Sequence, residues 1–86
     1  MKVHGRKSIV NAGELNDAFS DGDTVSIEIL KAKGIIPKSA KRYKVLAGGM
    51  LNKALVVEAD EFSSPAIEKI LAAGGQIVKV RIDNET

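Results

Sequence analysis

The sequence predicts a small α/β fold in one domain, and three observations carry that reading. The chain has 86 residues, too few for two separate cores. Hydrophobic residues make up 44% and charged residues 28%, the balance of a globular domain. Alternating apolar segments are interleaved with segments whose apolar residues recur at helical spacing. A chain of this size can bury roughly 63% of its unfolded surface, enough for a thin core. Aromatic residues are 3%, with Phe19, Tyr43, Phe62 and no tryptophan, so that core has to be aliphatic.

Residues 8–10 are an apolar run suited to a strand. Asn11 follows as an N-cap, with Glu14 at capping-box spacing. Leu15, Ala18 and Phe19 then fall on one face of a short helix, which ends in the turn Asp21-Gly22-Asp23. Residues 25–33 admit two readings. Val25, Ile27 and Ile29 alternate like a strand. Ser26 as N-cap, Ile29-Leu30 inside and Gly34 just past the end instead describe a two-turn helix. Its last turn would hold Lys31 and Lys33, where cations suit the dipole, and the helix is preferred. Ile36 precedes Pro37 and is therefore extended.

Residues 38–42 read as a polar loop, 43–47 as a strand, Gly48-Gly49 as a turn and 55–59 as a second strand. The strongest helix comes next. Ser63 or Ser64 caps it and Pro65 sits in its first turn. Ile67, Ile70 and Leu71 form the expected core stripe, packed against the strands at Val45 and Val57. Gly74-Gly75 is the stop signal. Residues 76–82 close as a strand, with Val78, Val80 and Ile82 on one face and Lys79 and Arg81 on the other. The predicted order is β, α, α, β, β, α, β. Residues 1–7 form a flexible basic leader, 8–82 the domain and 83–86 a frayed tail.

The composition excludes several functions. With no cysteine there are no disulfides, thiolate catalysis or iron–sulfur ligands, and the single histidine, His4, cannot build a multi-histidine metal site. No apolar run approaches the roughly 20 residues that span a bilayer, and no secretion signal opens the chain. Asp17, Asp21, Asp23 and Glu28 fall near calcium-loop spacing, but the third position is Phe19, which the core requires. Glu58, Asp60 and Glu61 have no base beside them, and Ser63-Ser64 are helix caps rather than nucleophiles. Gly74-Gly75 follows a helix, whereas a phosphate loop precedes one. Gly48-Gly49 reads first as a turn, with close backbone approach to RNA as the lesser alternative. No active site, cofactor or small-molecule substrate is expected.

The net charge of +2 conceals a sorting of signs along the chain. Residues 14–28 carry five acids and no base, whereas residues 31–53 carry seven bases and no acid. An acid-free stretch of that length points to a polyanion, nucleic acid above all. Few aromatics leave little for base stacking, so backbone and shape are the expected means of recognition.

Two longer segments carry a resemblance. One is Lys44-Val45-Leu46-Ala47-Gly48-Gly49-Met50-Leu51, followed by Leu55-Val56-Val57, Phe62-Ser63-Ser64-Pro65-Ala66, Ile70 and Gly74-Gly75. The other is upstream: Val10-Asn11-Ala12-Gly13-Glu14-Leu15, Asp23-Thr24-Val25 and Lys33-Gly34-Ile35-Ile36-Pro37-Lys38-Ser39. Together they resemble the C-terminal domain of the ribosomal protein L fifteen family, including its archaeal and eukaryotic L eighteen e relatives, over roughly residues 8–80. The resemblance implies an irregular superhelix of β-β-α turns, and a helix over residues 26–33. It implies a structural role in the large ribosomal subunit, in the cytoplasm, with ribosomal RNA and neighbouring ribosomal proteins as partners and no catalysis. The long basic N-terminal arm of full-length bacterial members has no counterpart in residues 1–7. The expected RNA-binding residues are Lys38, Ser39, Lys41, Arg42 and Lys44, extended by Lys53, Arg6 and Lys7. The alternative is a protein-interaction module that keeps the fold outside the ribosome.

Overall fold

Nine elements follow one another in the computed structural model, which describes residues 7–80: β1 (Lys7–Asn11), α1 (Ala12–Ala18), β2 (Thr24–Val25), α2 (Ile27–Ala32), β3 (Arg42–Leu46), β4 (Val56–Ala59), β5 (Glu61–Phe62), α3 (Ser64–Ala72) and β6 (Gln76–Lys79). The strands form two three-stranded sheets, ordered β1-β3-β5 and β2-β4-β6. Every pairing is parallel. Successive strands therefore alternate between the sheets, and each full coil of the chain adds one strand to each. The fold is the irregular superhelix expected from the resemblance.

Local chemistry sets the helix ends. The Asn11 amide donates to Glu14 Oε1 at 2.7 Å, the expected half of a capping box. Ser26 Oγ accepts from the Ile29 amide at 3.4 Å, and Gly34 takes a positive φ just beyond α2. The helical reading of this segment is the correct one, and only its first residue, Val25, lies in a strand. Ser63, not Ser64, caps α3, with its Oγ accepting from the Ala66 amide at 3.2 Å. Gly74 stops that helix with a φ of +89°.

The core is aliphatic, as the composition requires. Val10, Leu15, Val25, Leu30, Val45, Leu55, Val57 and Ile70 are fully buried, and Phe19 and Tyr43 join them. Along β3 the side chains alternate, Tyr43 and Val45 inward against Arg42, Lys44 and Leu46 outward.

Several expectations need correction. Leu71 is 54% exposed and takes no part in the core. At roughly 100° per residue, Ala66 and Ile70 define the inward face of α3 and Leu71 lies well past its edge. Val78 and Val80 are exposed, and Ile77 is the residue of β6 that packs on the core. β6 ends at Lys79, so Val80 lies beyond it, while Arg81 and Ile82 are outside the described residues. β1 begins at Lys7, one residue inside the expected leader, and Arg42 belongs to β3 rather than to the loop. The two-residue strands β2 and β5 have no counterpart in the predicted order. Residues 1–6 and 83–86, expected as leader and tail, lie outside the described residues.

Candidate nucleic-acid interface

The segment that joins β3 to β4 contains no helix, unlike its counterparts in the other two coils. It is held by hydrogen bonds to the elements on either side. The Gly13 amide donates to the Gly48 carbonyl at 2.8 Å, and the Gly48 amide to Asn11 Oδ1 at 3.1 Å. Asn16 Oδ1 accepts from the Asn52 amide at 3.0 Å, and Asp21 Oδ1 from the Ala54 amide at 2.7 Å. From the other side, the Lys69 ammonium donates to the carbonyls of Ala47, at 2.6 Å, and Gly49. The segment is thus fastened between α1 and α3. The close backbone approach that Gly48-Gly49 suggested is made to Gly13 of the same chain.

This arrangement accounts for Lys53. Its ammonium donates to the carbonyls of Asn16 and Phe19 at 2.6 and 2.8 Å. Both carbonyls stand at the C-terminal end of α1, where orphan acceptors and the helix dipole favour a cation. Lys53 therefore closes a helix end.

The remaining expected cations are placed differently. Lys38, Ser39 and Lys41 line one concavity with Ile27, Lys31 and Ala40. The turn that presents them is closed by the Ala40 amide donating to the Pro37 carbonyl at 3.0 Å. Lys31, which the sequence placed at the end of a helix without assigning it to the interface, belongs to this group. The heads of Lys31, Lys38 and Lys41 have no hydrogen bond or ion pair among the described residues. Arg42 and Lys44 project from the outer face of the β1-β3-β5 sheet, next to exposed Ile9, which is in register with Lys44. Lys7 is in register with Arg42 through its backbone, and Arg6 lies outside the described residues.

Acids return in three dimensions to a stretch that lacks them in sequence. Lys41 also lines a second concavity, shared with Ser26, Ile27, Glu28, Tyr43, Glu58, Asp60 and Val80. Glu61 is in register with Lys44 on β5. Tyr43 is fully buried: its phenol donates to the Glu58 carbonyl, and Asp60 Oδ1 accepts from the Tyr43 amide at 3.0 Å. Burial pushes the phenol's pKa well above its ordinary value, and the nearby charges of Asp60, Glu58 and Glu28 push it further. Phe19 is buried with the Lys33 ammonium 5.1 Å from its ring centre, and Phe62 packs against the core. Tyr43 and Phe19 are buried and Phe62 is partly buried.

Among the described residues no group of acids and histidine could hold a metal ion, and no helix is long and apolar enough to cross a membrane. Residues 9–78 match the family model for ribosomal proteins L fifteen and L eighteen e of the 50S subunit and L twenty-seven a of the 60S subunit. The chain is 48% identical over 69 residues to the large ribosomal subunit protein uL15 of Trichlorobacter lovleyi, an overlap covering 80% of this chain and 46% of that protein. It is 44% identical over 71 residues to uL15 of Treponema denticola, covering 83% and 47% of the two chains. For uL15 of Prochlorococcus marinus the identity is 47% over 68 residues, covering 79% and 44%. The matched region spans less than half the length of each of these relatives.

Proposed function

The chain belongs to the family of ribosomal proteins matched over residues 9–78, and on that premise we propose that it is a structural constituent of the large ribosomal subunit. In this reading it binds large-subunit ribosomal RNA, adjoins neighbouring ribosomal proteins, supports subunit assembly and resides with the ribosome in the cytoplasm. It catalyses nothing.

The observation that supports RNA as partner is the gathering of Lys31, Lys38, Ser39 and Lys41 around one concavity, with Arg42 and Lys44 on the adjoining sheet face. The heads of Lys31, Lys38 and Lys41, with no partner among the described residues, can replace the counterions of a phosphate backbone, so affinity should fall steeply with salt. Arg6 and Lys7 extend this interface on the strength of the sequence. Lys53 is left out because its ammonium serves α1.

The test is co-sedimentation with large ribosomal subunits at low and high salt, together with RNA titrations of the isolated chain. The isolated chain should bind in the range of about 10⁻⁴–10⁻⁶ M at moderate salt. Changing Lys38, Lys41, Arg42 and Lys44 together to Gln should weaken binding and flatten its salt dependence, leaving the melting temperature unchanged. Equal loss per charge from Lys79→Gln and Arg81→Gln, or no loss from either set, overturns the assignment. A protein-interaction role outside the ribosome is the second reading. The open apolar groove lined by Met50, Leu51, Ala72 and Ala73 favours it, with Met50 70% exposed. A salt-insensitive protein partner away from ribosomes would select that reading.

A further inference from the structure

The two concavities adjoin at Ile27 and Lys41, which line both. Their chemistry is opposite. The first has a volume of about 490 Å³, within the range of ligand clefts, and is lined by Lys31, Lys38, Ser39 and Lys41 with Ile27 and Ala40. No acid lines it. The second holds Glu28, Glu58 and Asp60. Of these, Asp60 is engaged by the Tyr43 amide, whereas the side chains of Glu28 and Glu58 have no partner among the described residues.

A continuous RNA duplex presents phosphates and 2′-hydroxyls, and its closely spaced phosphates would leave the acidic half facing like charge. A single unpaired nucleotide presents an anion and, at a distance from it, hydrogen-bond donors. Its phosphate is anionic, and the edge of its base carries N–H donors once it is released from pairing. Among the bases, guanine offers adjacent N1–H and N2–H donors, which match the two oxygens of one carboxylate. Resting on the proposed RNA interface, we propose that the paired concavities seat one unpaired guanine nucleotide of RNA. Its phosphate lies among Lys31, Lys38 and Lys41, its base over the aliphatic side chain of Ile27, and its Watson–Crick edge toward Glu58 or Glu28. Lys41 sits at the junction, where it offsets the repulsion between phosphate and carboxylates. Selectivity for the nucleotide comes from this sorting of charge.

The experiment uses the full chain and three short RNA hairpins of identical stem: fully paired, with one bulged guanine, and with one bulged uracil. The bulged-guanine hairpin should bind about ten-fold more tightly than either of the others, the discrimination of one good two-point contact. Glu58→Gln combined with Glu28→Gln should remove that preference while leaving or improving affinity for the paired hairpin. Lys31→Gln with Lys38→Gln should weaken binding to all three. Equal affinity for bulged and paired hairpins, or for guanine and uracil bulges, overturns the nucleotide site and leaves the lysine interface standing. If no hairpin binds, or the lysine changes have no effect, the RNA reading falls together with it.

Discussion

Gly13 and Gly49 meet backbone to backbone: a Cβ on Gly49 would stand 2.8 Å from the Gly13 Cα. Gly49 also has a φ of +83°, a conformation that side chains resist. Both facts come from the fastening of the helix-free segment onto α1. Gly49→Ala should therefore cost roughly 1–3 kcal/mol or more, because strain in the backbone adds to a clash with backbone that cannot rotate away. Gly34→Ala is the control. Gly34 has a φ of +76° but open space where its Cβ would go, so only the conformational cost, about 1 kcal/mol, applies. Urea unfolding of both variants checks the order, and equal losses would contradict the close contact.

Lys53 should matter for folding rather than for RNA. Lys53→Met removes two charge-assisted hydrogen bonds to Asn16 and Phe19, and the expected loss is about 1.5–3 kcal/mol. Lys38→Met, at an exposed position, should stay within about 0.5 kcal/mol of the parent. In RNA titrations the roles should reverse.

The two neighbours Ile70 and Leu71 should behave oppositely. Ile70 is fully buried, so Ile70→Ala should destabilise by about 2–5 kcal/mol through lost transfer energy and the cavity left behind. Leu71→Ala, on the exposed face of α3, should change stability by no more than about 0.5 kcal/mol. Denaturant midpoints measure both.

The cap of α3 distinguishes two adjacent serines. Ser63→Ala should cost roughly 0.5–2 kcal/mol, because the Ala66 amide loses its acceptor. Ser64→Ala, inside the first turn, should cost nothing measurable in the same denaturant titration.

Tyr43 should give the fold a limit at high pH. Its phenol has a raised pKa in the folded state, so the folded chain holds that proton more tightly than the unfolded chain does. The stabilisation is complete below the unfolded value of about 10 and is lost as pH rises through the folded value. Unfolding free energy should thus be level below about pH 10 with respect to this group and decline above it. Tyr43→Phe should abolish that decline. It should also lower stability by about 1–3 kcal/mol at neutral pH, since the Glu58 carbonyl loses its donor.

By itself the sequence determined the features that depend on a few consecutive residues. Asn11 with Glu14, Ser26 with Gly34, and Ser63 with Gly74 locate the three helices, because a cap or a stop acts over one turn of chain. The alternation of Tyr43 and Val45 against Arg42 and Lys44 marks β3 for the same reason. Tertiary structure alone decided what depends on distant partners. β2 and β5 have two residues each, too few for any period to show, and exist because β4 and β3 offer them open edges. Leu71 fits the helical spacing of Ile67 and Ile70 yet lies outside the core, since the sheets and not the helix determine which arc is covered. Lys53 reads along the chain as one more cation of a basic stretch, and only the fold brings its ammonium to the end of α1. Glu28 and Glu58 stand outside the acid-free stretch in sequence and beside Lys41 in space. Caps and periods are local and therefore legible along the chain. The sign of a surface is a sum over neighbours, and only the coiling of the two sheets says which residues those are.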